Sequence, residues 1–130
     1  MLRCFDNGDK INYVDDLNRF AGFDMSQHCC ESFGHGVYGL DGRKILPNVD
    51  NEWLSLSFAG CPPIEDDGAE LARLSGDDDL RCADCGGMVR FKLVDVCGVH
   101  KAWLAFYNEH NGYYSHTGEY NMSPATEFCL

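Results

Sequence analysis

Eight cysteines and five histidines give this chain its most chemically loaded positions. The strongest local pattern is Cys82-x2-Cys85 followed by Gly86-Gly87. A two-residue spacer lets two thiolates face one ion, and the glycines let backbone amides approach the sulfurs, as in a structural zinc knuckle. Cys97-x2-His100 supplies a matching second half, so that zinc held by Cys82, Cys85, Cys97 and His100 is the leading expectation. The intervening segment GGMVRFKLVDV has no turn residue after Gly87. As one unbroken strand it would hold the two halves roughly 30 Å apart, at about 3.3 Å per residue. In that case the Cys82–Cys85 pair would complete its site with Cys61 or with the segment His28, Cys29 and Cys30.

A second set of reactive types lies around Cys29-Cys30-Glu31 and Asn108-Glu109-His110-Asn111-Gly112-Tyr113-Tyr114. Adjacent cysteines point apart in a strand and do not chelate together; a bridge between them is strained. One of them could act as a nucleophile beside His110, but nothing in the sequence supplies an oxyanion hole or an orienting third residue. Cys30, Glu31, Glu109, His110, Asn111, Tyr113 and Tyr114 are therefore assigned as ligand- or partner-binding candidates, the mixture of polar and aromatic groups from which pockets are built. Asp77, Asp78 and Asp79 join them as an acidic patch. That run lacks the spaced ligands and closing Glu of a calcium loop.

The elements that must position these groups are mostly hairpins. Leu2 to Phe5 and Lys10 to Val14 flank Asn7-Gly8, a turn pair suited to positive φ. Asp15 to Ala21 has the cap and spacing of one or two helical turns. The stretch ESFGHGVYG reads as a glycine-rich loop, and Asp41-Gly42 as a second hairpin turn. Glu52 to Phe58 alternates like one half-buried strand, and Met88 to Val96 and Lys101 to Tyr107 read as a strand pair around Cys97-Gly98. Ile64 to Leu74 (IEDDGAELARL) is the main helix, with acids in its first turn and Gly76 beyond its end. The fold class expected is α+β: a single domain over residues 1–130, an antiparallel sheet of hairpins, one main helix and a zinc-knuckle-like loop.

Ten basic residues against twenty-one acidic ones give a net charge of −11. That balance argues against direct nucleic-acid binding, which is driven by Lys and Arg. It favours a soluble surface or an acidic face aimed at a basic partner. MLRCFDNGDK carries no apolar signal core, and the longest apolar run, Ala102 to Tyr107, is far short of a membrane span. A cytoplasmic location is expected, where thiols stay reduced and serve as metal ligands or buried groups.

On two markers, Cys29-Cys30-Glu31 and the NEHNGYY run from Asn108 to Tyr114, the chain resembles an uncharacterised family of small phage and prophage proteins. The resemblance implies a phage origin and an accessory role and supplies no activity; the CxxC knuckle and the acidic run at Asp77 lie outside its pattern. With the charge and the incomplete catalytic set, it leads to the expectation of a non-enzymatic cytoplasmic protein of the infected host cell. That protein would bind and inhibit a host defence or replication protein with a basic surface, by mimicking nucleic-acid charge. A small-ligand (nucleotide) sponge or small enzyme centred on His110 to Tyr114 is the alternative. Strands apolar on both faces, such as Ala102 to Tyr107, make a homodimer a further expectation.

Overall fold

The computed structural model describes residues 1–25, 32–66, 73, 87–109, 117–122 and 127–130, with backbone alone at 32, 33 and 109. Its elements are all strands: β1 (Leu2–Asp6), β2 (Lys10–Asp15), β3 (Phe20–Asp24), β4 (Ser32–Gly39), β5 (Glu52–Trp53), β6 (Ser57–Phe58), β7 (Ile64–Asp66), β8 (Gly87–Val94), β9 (His100–Glu109), β10 (Thr117–Tyr120) and β11 (Glu127–Cys129). They form two antiparallel sheets, one ordered β11-β10-β3-β2-β1-β5 and the other β4-β9-β8-β6, with β7 also on β8. The expectation of an α+β domain with one main helix is thereby corrected to an all-β sandwich. Ile64–Asp66 pairs with Met88–Arg90 of β8, because a strand with an open edge satisfies more backbone polar groups than an isolated helical turn would. Of the rest of the expected helix only Arg73 is described, as a single helical position; residues 67–72 and 74 lie outside the described residues.

Strict alternation builds the first sheet. Ile11, Tyr13, Ala21, Phe23, Tyr120 and Phe128 face inward, while Lys10, Asn12, Gly22 and Glu119 face outward. From the second sheet Val37, Val89, Phe91, Leu93, Leu104 and Phe106 meet them in one apolar core. Rings dominate it: Phe128 lies 5.8 Å from Phe106 and 6.1 Å from Phe23, centroid to centroid, and Phe91 stands edge-on to Tyr120 at 5.3 Å. Such stacked and edge-on pairs add to plain burial. Gly118 is opposite both Phe23 and Phe128, and a Cβ there would stand 2.0 Å from the Phe128 ring. Gly118→Ala is expected to displace that ring at a cost of about 2–3 kcal/mol; urea unfolding within 0.5 kcal/mol of the parent would refute it.

The second sheet is covered on part of its outer face as well. Met88, Ala105 and Tyr38 are buried there. The stretch ESFGHGVYG, expected as a glycine-rich loop running into a hairpin arm at Val37 to Leu40, is instead strand from Ser32 to Gly39, because Gly34 and Gly36 leave room for rings. The Tyr107 hydroxyl would lie 2.6 Å from a Cβ at Gly34, and the Tyr38 ring 3.1 Å from one at Gly36. Aromatic side chains thus close over strand glycines.

Three polar ties cross the sandwich. Asp15 Oδ2 accepts the Phe58 amide at 3.1 Å, Tyr13 Oη meets His35 Nδ1 at 2.6 Å, and Asn108 Nδ2 donates to the Leu130 carbonyl at 3.2 Å. The expected helical turns at Asp15 to Ala21 are a tight turn instead, since Asp15 Oδ1 accepts the amides of Leu17 and Arg19 and Asn18 takes φ 59°. Glu52 to Phe58 is likewise two short strands, β5 pairing with β1 and β6 with β8, so this segment passes from one sheet to the other.

Candidate functional site

Of the proposed zinc ligands, Cys82 and Cys85 lie outside the described residues, as do His28, Cys29 and Cys30. Cys97 is exposed in the β8–β9 turn, and Cys61 is exposed after β6. His100 opens β9, with its Nε2 3.0 Å from the Ala102 carbonyl and its ring edge-on to Trp103 at 4.6 Å. β8 runs without a break from Gly87 to Val94, which puts Gly87 and Cys97 at opposite ends of one strand. Among the described residues no three His, Cys, Asp or Glu side chains are grouped as a metal site. Zinc on the Cys82–Cys85 pair therefore has a discriminating test. Cys82→Ser or Cys85→Ser is expected to remove about one zinc per chain and lower the melting temperature. With β8 unbroken, His100→Ala is expected to leave the zinc content unchanged. Metal analysis of the three variants checks both, and a metal-free parent protein would end the zinc reading.

Glu31, His110, Asn111, Tyr113, Tyr114 and Asp77 to Asp79 also lie outside the described residues; Glu109 is described only as the last backbone position of β9.

What the structure does assemble is a set of groups the sequence reading passed over. Cys4 and Tyr13 are register partners on β1 and β2, and Tyr13 reaches across the sandwich to His35 on β4. Tyr13 is buried, packed against Trp53 at 5.7 Å and edge-on to the His35 and Phe106 rings. Burial pushes the Cys4 thiol up to about 11, against the pull of its hydrogen bond with Tyr13. Burial also pushes the Tyr13 phenol up and the His35 imidazole down to about 4, Asp6 and Lys44 acting on His35 in opposite senses. All three are neutral at pH 7, and Tyr13 Oη and His35 Nδ1 share one hydrogen bond whose donor is set by the imidazole tautomer. A thiol held this far from its thiolate is a poor nucleophile. The trio ties two sheets together.

The surface shows a different feature. Of the ten exposed large apolar side chains described, seven lie on two loops: Leu40, Ile45, Leu46, Val49 and Leu54 between β4 and β6, and Val96 and Val99 in the β8–β9 turn. Val49 is 99% exposed and Leu54 68%. The loops are held by fixed polar contacts rather than by burying these side chains. Asn48 Oδ1 accepts the amides of Asp50 and Glu52, and Asp95 Oδ1 those of Cys97 and Val99. Gly42 and Gly98 supply the positive φ at their turns. Between the loops lies a groove of about 590 Å³ lined by Ile45, Leu46, Trp53, Leu54 and Leu56, with Glu52, Asp95 and Lys101 at its polar margin. Three of the seven, Ile45, Leu46 and Leu54, line this groove, and exposed apolar surface gathered at a groove marks interaction sites. The pattern was visible in the sequence as apolar residues inside turn segments, although nothing local said that the two loops adjoin.

A basic and aromatic strip occupies the outer face of the second sheet. The Arg90 guanidinium lies 4.6 Å above the Trp103 ring and 2.6 Å from Asp66 Oδ2. That arrangement binds β7, β8 and β9 to one another.

A comparison with protein-family models finds no match. Comparisons with curated proteins and with solved structures find none either.

Proposed function

We propose that this chain is a non-enzymatic accessory protein of the phage type that binds a host protein bearing a basic surface and inhibits it by standing in for nucleic-acid charge. The observation that carries the reading is the concentration of exposed apolar side chains on the two loops at Leu40–Leu54 and Val96–Val99, on a chain of net charge −11. Apolar area gives a docking surface its affinity, and the negative field gives it rate and choice of partner. The neutral, hydrogen-bonded state of Cys4, Tyr13 and His35 supports a binding role over a catalytic one.

The test couples capture to reconstitution. The immobilised chain is exposed to host bacterial lysate at low salt, and any retained protein is purified and assayed with and without the chain. A basic partner is expected. Its association rate should fall several-fold as salt rises, because screening shortens the reach of the charge, and its activity should be inhibited. Retention of nothing at high loading, or of a partner whose activity is untouched, overturns the reading.

A further inference from the structure

We propose that the groove between the 40–56 loop and the β8–β9 turn seats an aliphatic side chain of the partner protein, next to a Lys or Arg that Asp95 receives. This deepens the partner-binding reading and rests on it. The groove offers mostly carbon: Leu56 and Trp53 are buried residues of its lining, Ile45, Leu46 and Leu54 line it as well, and Ser55 adds a single hydroxyl. The one polar atom of the indole is already committed, since Trp53 Nε1 donates to the Ile45 carbonyl at 2.8 Å. A polar occupant would therefore leave its own groups unpaired there, at a cost that an aliphatic one avoids.

The polar margin narrows the choice further. Glu52 is engaged by Arg3 Nε at 3.0 Å and by Asn48 Nδ2 at 3.3 Å. Asp95 uses Oδ1 for the turn amides, and no described ion pair takes its other oxygen. Asp95 thus presents a carboxylate fixed by its own loop, pre-organised to accept a cation. Lys101 lies at the same margin, so the local charges alone would also admit an acid; the net −11 of the chain selects the basic sequence. The same charge opposes a second copy as occupant, because two such chains repel one another.

The experiment selects random displayed peptides on the full chain and measures the enriched ones by Trp fluorescence. Expected are peptides with Leu, Ile or Met beside Lys or Arg. Leu54→Glu, at an exposed position, should weaken their binding at least tenfold. Asp95→Asn keeps an oxygen for the Cys97 and Val99 amides, and should weaken binding about threefold while flattening its salt dependence. Peptides that bind the parent and Leu54→Glu equally would overturn the groove and leave partner binding standing. Acidic consensus peptides, or none, would overturn the charge argument and the groove together. A concentration-dependent dimer that Leu54→Glu abolishes would replace the partner with a second copy.

Discussion

Asp15→Ala is expected to destabilise the protein by about 3–5 kcal/mol, the range found when one partner of a buried charge pair is removed. The Asp15 carboxylate is shut off from solvent and accepts four donors. Two are the amides of Leu17 and Arg19 that shape the β2–β3 turn. The third is Arg19 Nε at 2.9 Å, and the fourth is the Phe58 amide from the opposite sheet. Alanine leaves a guanidinium and a buried amide without their acceptor at once. For a domain of this size the melting temperature should fall on the order of 10–15 °C. Asp15→Asn, which keeps an acceptor but loses the charge, should cost less. Denaturant titration of the three proteins gives the ranking, and a loss below 1 kcal/mol in the alanine variant would sink the argument.

Acid should loosen the sandwich through His35. In the fold its imidazole is held neutral, with its pKa near 4, because burial disfavours the cation. In the unfolded chain it titrates near the usual 6.5. The unfolded state takes up the proton first as pH falls. The contribution is thus fully present above pH 6.5, declines through the interval down to 4 and is gone below it. The displacement corresponds to about 3 kcal/mol over that interval. Protonation would also make Nδ1 a donor in either case, leaving the Tyr13 hydroxyl to accept. NMR titration of the His35 ring measures the pKa directly, alongside urea unfolding at pH 7 and pH 4.5. A ring that titrates near 6.5, with stability flat across the interval, would refute this.

How much of this was legible in the sequence depends on how local the cause is. The β1–β2 hairpin was readable because Asp6-Asn7-Gly8 carries its own turn: Gly8 takes φ 93°, and Asn7 Oδ1 accepts the amides of Asp9 and Lys10. The β8–β9 pair was readable for the same reason, through Asp95 and Gly98. Ile64 to Leu74 misled because its first residues follow a demand set more than twenty positions away, the open edge of β8. Leu54, Leu56 and Phe58 alternated as a strand should, yet Leu54 is exposed because the chain is changing sheets there. The Cys4–Tyr13–His35 set was invisible, since its members lie on three strands in two sheets and none has a motif. Its physical signature is shared burial, which no spacing reveals.

The outer neighbour of β3 is β10, and that pairing has a consequence for how the protein is made. The Phe20 amide is bonded to Asn121, 101 positions further along. At typical translation rates of about 5–20 residues per second, β3 leaves the ribosome some 5–20 s before its partner exists. Through that interval its edge is unpaired and Phe23 lacks the Phe128 ring that later stacks on it. The nascent chain therefore holds a half-built sheet with a sticky border, a natural client for chaperones that shield exposed strands. Only the synthesis of the last strands seals it, so the two ends of the molecule are joined by a delay in time as much as by a bond.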